Sequence, residues 1–156
     1  MAQTQFHPLI AEWFQSHIGQ PTDVQVQAWP AIQSGSDALI AAPTGSGKTL
    51  AFSVPLLDRI GKAEPRKPRG LVLVPTRELA LQVHDSLAAY ASSTPIRVAA
   101  IFGGVSMSRQ VDVLRRGVDV VVATPGRFMD LMNQRLVDLS EVEVFVCRDT
   151  DSRLSV

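Results

Sequence analysis

Cysteine is nearly absent from the chain. Cys147 is its only one, which excludes an internal disulfide framework and a cysteine-based zinc cage. Neither sign of charge is in excess, since 15 basic and 15 acidic residues give a formal net charge of zero. Any binding to a polyanion must then rest on a local patch and not on a global field. No apolar run approaches the roughly 18 residues a membrane span needs, so none is expected. The N-terminus MAQTQFHPLI lacks a basic segment followed by a long apolar one, so no secretory leader is expected and the cytoplasm is the default location. His7, His17 and His84 share no spacing with carboxylates or with the cysteine, which argues against a metal or triad set among them.

What is present is material for a core. Hydrophobic residues make up 46% of the 156 residues, which suits one well-buried domain over 1–156, with N-terminal helices in 1–35. Short runs rich in Val, Leu, Ile and Ala recur at Asp37–Ala41, Gly70–Val74, Arg97–Ile101, Val118–Ala123 and Val142–Val146. Such continuous apolar runs indicate strands buried on both faces, hence a parallel sheet. Helical patterns lie between them at Lys48–Ile60, Arg77–Tyr90, Ser106–Arg115 and Gly126–Gln134, and two precede the first strand, at Pro8–His17 and Thr22–Ser34. The alternation predicts a doubly wound α/β domain with a mainly parallel five-stranded sheet and helices on both faces. Ligands of such sheets bind at the carboxyl ends of the strands. Trp13 and Trp29 read as core anchors, and Met107, Met129 and Met132 as helix packing. Cys147 reads as a small hydrophobe closing a buried strand, and Arg66-Lys67-Pro68-Arg69 as a solvated loop.

The first strand runs into AAPTGSGKT (41–49) and then a helix, the junction a phosphate loop requires. Gly45 and Gly47 permit a backbone that turns N–H groups inward around phosphate, with Thr44 and Ser46 between and before them. Lys48 would reach the β- and γ-phosphates of a nucleotide and the Thr49 hydroxyl would ligate magnesium. Upstream, GQPTDVQVQAWPAI (19–32) places Gln25 one turn into a helix. A glutamine amide can pair with N6 and N7 of adenine, which would select ATP over GTP. By itself Gln25 would read as a solvated residue; beside a phosphate loop the adenine role is favoured.

The segments PTDVQ (21–25), APTGSGKT (42–49), PTRELA (75–80), FGG (102–104) and TPGR (124–127) occur in this order at predicted strand and helix ends. Together they resemble the first RecA-like lobe of superfamily 2 DEAD-box RNA helicases. The first fifty or so residues look closer to the large-helicase-related (Lhr-type) branch, and the sequence after Ala51 looks DEAD-box. The family's usual aromatic residue ahead of the glutamine is replaced by Pro8, leaving Phe6 or Trp13 as substitutes for stacking on adenine. The resemblance implies ATP or ADP with magnesium as cofactors and a single-stranded RNA backbone as partner. The RNA contacts it implies are Thr76, Arg77, Gly103, Gly104, Thr124, Gly126 and Arg127. Helix N-termini, hydroxyls and guanidinium groups at these points suit phosphate oxygens and carry no base information.

In the family the fifth strand ends in Asp-Glu-Ala-Asp, whose first Asp holds magnesium through water and whose Glu orients the attacking water. Here the strand is followed by Arg148, Asp149, Thr150 and Asp151: aligned without a gap this puts an arginine in the metal position, whereas a one-residue bulge would put Asp149 there with Asp151 out of step, and Asp149 and Asp151 are remnants of the catalytic and metal set. The resemblance also implies a further helix and strand and a second RecA-like lobe, so hydrolysis by this chain alone is expected to be weak or absent. The missing strand belongs between the phosphate-loop strand and the acidic one. Without it the sheet is expected to close up, expose edges or borrow a strand, which predicts either a homodimer through sheet edges or a disordered C-terminal segment. Two other functions fit the same residues: a non-catalytic nucleotide-binding module acting as a dimer or through a partner, and an RNA-binding fragment with a vestigial nucleotide site.

Overall fold

The computed structural model describes residues 6–41, 47–60, 67–148 and 153–156, with backbone alone at 153 and 154. Two helices lead, α1 (Pro8–His17) and α2 (Asp23–Gln33). They are followed by β1 (Leu39–Ala41), α3 (Lys48–Ile60), β2 (Gly70–Leu73), α4 (Arg77–Tyr90), β3 (Val98–Ile101) and α5 (Met107–Arg116). The chain continues through β4 (Val120–Ala123), α6 (Pro125–Asn133), β5 (Val144–Arg148) and β6 (Arg153–Ser155). Bounds expected from the sequence agree to within two residues, the usual spread at element ends.

Local chemistry explains the starts that matter for the site. Thr22 and Gln25 form a reciprocal capping box at the head of α2, and the Thr76 hydroxyl accepts from the Leu79 N–H at the head of α4. α5 is followed by Gly117 at φ 95, a left-handed conformation that favours glycine.

The sheet has six strands in the order β1-β6-β5-β2-β4-β3, one more than the sequence indicates. β5, β2, β4 and β3 are parallel, in register from Gly70 opposite Val120 and Val144. β6 runs antiparallel to both β1 and β5, so β1 is itself parallel to β5. The gap expected between β1 and β5 is therefore filled from within the chain. Ala38 and Val156 extend the pairing with reciprocal N–H to carbonyl bonds of 3.0 and 2.9 Å. This removes the reason for a homodimer joined there, and residues 153–156 are ordered partners of the sheet, not a loose tail. The three-residue β6 escaped the sequence reading because Arg-Leu-Ser carries no usable period.

The two faces are covered unequally. One carries α1, α2, α3 and α4 over Val72, Val74, Val120, Val122, Val144 and Val146. The other carries α5 and α6 over Leu71, Ala99, Ile101, Val121 and Ala123. On that second face β5 leaves Phe145 and Cys147 exposed, so Cys147 is not the buried hydrophobe expected. Met129 and Met132 are also exposed, at 59% and 44%, and with Phe145 they border an apolar groove, which corrects their reading as packing.

Candidate functional site

Because β1, β2, β3, β4 and β5 all point the same way, the segments that follow them share one rim of the sheet. The sequence-predicted site residues that lie among the described ones gather there. Thr44, Gly45, Ser46, Asp149 and Asp151 lie outside the described residues.

At the β1 side, Gly47 leads into α3 with φ 85, and Lys48 follows, 5% exposed. Thr49 is half-buried in the first turn, and its carbonyl accepts from the Ser53 hydroxyl at 2.6 Å. Gln25 reaches this loop across 22 residues of sequence: its amide donates to the Gly47 carbonyl at 3.2 Å. Its oxygen accepts from the Thr22 N–H at 3.0 Å. Gln25 is 1% exposed, so it is a buried strut between α2 and the phosphate loop, not the solvated residue its helix position alone suggests. The fit is close: a Cβ at Gly47 would stand 2.5 Å from the Gln25 amide nitrogen and 3.0 Å from the Thr22 hydroxyl. The Trp29 indole adds a second tie, donating to the Leu50 carbonyl at 3.3 Å. The sequence reading overlooked Thr22 and Trp29 in this role. The Thr-x-x-Gln spacing was the available signal for the first.

The second group sits beyond β2, β3 and β4. Thr76 and Arg77 are exposed, as are Gly103, Gly104 and Gly126, while Thr124 and Arg127 are half-buried. Thr76 caps α4, whereas the Thr124 side chain caps nothing. The Arg77 guanidinium lies 5.0 Å over the Phe102 ring, and one of its nitrogens is 3.3 Å from where a Gly104 Cβ would stand. Arg127 donates to the Gln110 side chain at 3.0 Å and to the Val105 carbonyl at 3.1 Å. Gln110 is itself anchored on the Phe102 carbonyl at 2.9 Å. Arg127 thus ties α6 to the β3–α5 connection as well as presenting charge. Phe102 and Gln110 were not foreseen as supports of the two arginines.

β5 alternates buried and exposed positions, which puts Arg148 on the same side as Val144 and Val146, facing α3 and α4. Arg148 and Thr49 line one cavity of about 410 Å³ with Leu79, Gln82, Val83, Asp85 and Ser86. The resemblance implies magnesium at this place. The Thr49 hydroxyl could serve it, but Arg148 is a pure donor and cannot coordinate a cation. Among the described residues no cluster of three His, Cys, Asp or Glu side chains could hold a metal ion. Asp149 and Asp151 lie outside the described residues, so what the described ones bring to this cavity is one hydroxyl and one guanidinium.

Other candidates resolve into structure. Phe6 meets Trp29 edge-on at 5.0 Å, and Trp13 stacks on His17 at 4.6 Å, so both rings are engaged in packing. Trp29 is buried, as expected of a core anchor. Arg69 is 5% exposed, which overturns its reading as part of a solvated loop. The Asp138 carboxyl is held well below the ordinary carboxylate range by hydrogen bonds from Ser140 and then by Lys67, 3.0 Å away. Hydrogen bonding to Asp138 in turn raises Lys67. This pair precedes β5 and β2 and so belongs to the opposite rim of the sheet.

The DEAD/DEAH box helicase family model matches residues 22–154. The chain belongs to the DEAD/DEAH box helicase family. Among curated relatives of this DEAD-box chain, the ATP-dependent RNA helicase dbp3 of Aspergillus terreus is 44% identical over 139 residues, covering 86% of the chain and 28% of the relative. The ATP-dependent RNA helicase DeaD of Mycobacterium tuberculosis is 41% identical over 158 residues, covering 99% of the chain and 28% of the relative. That match includes the N-terminal helices and gives no separate support to an Lhr-type origin for them. The crystal structure of the RNA helicase Prp28 from Chaetomium thermophilum bound to ADP aligns with a TM-score of 0.87 at 32% identity, over 97% of this chain and 38% of that one. A hypothetical ATP-dependent RNA helicase from Sulfolobus tokodaii aligns at 0.81 and 33%, over 92% of this chain and 41% of its own. The fold is the α/β RecA-like helicase fold. The DEAD-box chain spans under a third of the length of these curated relatives.

Proposed function

We propose that the chain acts as the ATP-binding and single-stranded-RNA-binding first lobe of an ATP-dependent RNA helicase, with a degenerate acidic motif and little or no hydrolysis of its own. One observation carries this reading: the phosphate loop with its Gln25 strut and the exposed Thr76, Arg77, Gly103, Gly104 and Gly126 share a single strand-end rim. Nucleotide and RNA would then lie side by side, as a coupled machine needs. Lys48 and the amides at the head of α3 would hold the phosphates, and Gln25, buried against Gly47, would brace the loop that receives them. Arg77 and Arg127 would hold RNA phosphates, supported by Phe102 and Gln110. Strand separation and turnover would require a second RecA-like lobe, and the cytoplasm is the location we assign.

The alternative of a non-catalytic nucleotide module draws on one specific observation, the arginine in place of the first acidic residue. Equilibrium binding separates the two. A labelled ATP analogue and a labelled oligouridine should both bind. Lys48→Ala should abolish the first, and Arg77→Ala should weaken the second and flatten its salt dependence by about 0.7 in log–log slope, as loss of one phosphate contact on a single strand predicts. Nucleotide binding with no RNA binding at low salt would favour the non-catalytic module. Failure of both would refute the proposal.

A further inference from the structure

We propose that the Arg148 guanidinium takes the place of magnesium as the counter-charge of a bound nucleotide's phosphates, so that this chain binds nucleotide without metal. The inference rests on the nucleotide-binding reading above and concerns what neutralises the phosphates there.

The alternation along β5 aims Arg148 toward α3, away from the exposed Phe145 and Cys147. It shares a cavity with Thr49, the residue that follows the phosphate-loop lysine in the first turn of α3. The Arg148 side chain has no hydrogen bond or ion pair among the described residues. The carboxylate across the same cavity, Asp85, is turned elsewhere: it lies 3.0 Å from the His84 ring and its side chain is 78% exposed. A half-buried arginine that lines one cavity with a phosphate-loop threonine, with no acidic partner among the described residues, suits an anion.

The chemistry favours phosphate over metal. A guanidinium offers five N–H donors in a planar fork that matches two phosphate oxygens. It is always charged, and a fixed positive charge at this point repels a divalent cation. No bond is made or broken, and the claim concerns binding alone.

Calorimetry with ADP and with a non-hydrolysable ATP analogue, in EDTA and in millimolar magnesium, tests it. The wild-type chain is expected to bind with affinities that differ less than about twofold between the two conditions, whereas Arg148→Ala should weaken metal-free binding about tenfold or more, the scale of a charge-assisted hydrogen bond. Arg148→Lys should fall between them, keeping the charge without the fork. Arg148→Asp should lose metal-free binding and recover it in magnesium, a gain that misfolding cannot produce. Wild-type binding that needs magnesium, or metal-free binding indifferent to Arg148→Ala, overturns the inference and leaves the proposed function standing. An absence of nucleotide binding in every condition overturns both.

Discussion

Gly47→Ala and Gln25→Ala are expected to be strongly coupled, and the sign of the coupling follows from the geometry at the phosphate loop. Gln25→Ala removes two hydrogen bonds, from Thr22 N–H at 3.0 Å and to the Gly47 carbonyl at 3.2 Å. At about 1 kcal/mol each, that costs about 2 kcal/mol. Gly47→Ala places a side chain on a backbone with φ +85, at about 1–2 kcal/mol of strain. It also puts a methyl 2.5 Å from the Gln25 amide nitrogen and 3.0 Å from the Thr22 hydroxyl, which evicts the glutamine and forfeits the same two bonds. Its cost is therefore about 3–4 kcal/mol. The double variant has no glutamine left to evict, so it should cost no more than Gly47→Ala alone. The two single costs should exceed the double by about 2 kcal/mol, a sub-additive cycle typical of residues in contact. Urea unfolding of the nucleotide-free chain, followed by circular dichroism, measures all four corners. Gly103→Ala is the control, because its Cβ would meet nothing within 4 Å, and it should change stability by under about 0.5 kcal/mol. Additive costs at Gly47 and Gln25, or a costly Gly103→Ala, would refute the strut.

Arg69 is buried with its Nε unpartnered and its Nη2 donating to the Ile60 carbonyl. A buried charge without a carboxylate among the described residues is a liability, so Arg69→Met should be neutral or stabilising by about 1–3 kcal/mol, and a thermal melt lowered by more than about 5 °C would contradict this. Phe145 is 48% exposed on the thinly covered face of the sheet. Phe145→Ser should change folding stability by about 1 kcal/mol or less while reducing binding of a hydrophobic dye and raising solubility, and unchanged dye binding would show that the apolar groove is not accessible.

Much of this was legible in the sequence because the informative signals were local. Val120–Ala123 is buried at every position, and a continuous apolar run is what a central parallel strand requires. α3 and α4 begin where Lys48 and Thr76-Arg77 placed them, since phosphate loop and N-cap are short-range codes. What escaped depends on distant partners. That Gln25 would be buried and spend its amide on Gly47 follows from the docking of α2 on α3, which no helix period encodes. Cys147 and Met129 were assigned to the core because an apolar residue in a buried element usually is, and neither position tells which half of a sheet face goes uncovered. Arg69 was assigned to solvent for the converse reason.

The C-terminal region shows how differently fold and chemistry constrain a chain. β6 satisfies β1 on one side and β5 on the other through main-chain groups, which any residue but proline can supply. A three-residue segment with no apolar pattern can therefore complete the sheet, and β5 keeps its register with β2 from Val144 to Cys147. The residue after that register is under a different demand. A carboxylate and a guanidinium fit the end of a strand equally well, but only one attracts a divalent cation and only the other grips a phosphate directly. Backbone pairing thus fixes where the residue at position 148 stands without fixing which side chain it carries. In the proposed reading Arg148, which lines one cavity with Thr49, is where that freedom is used.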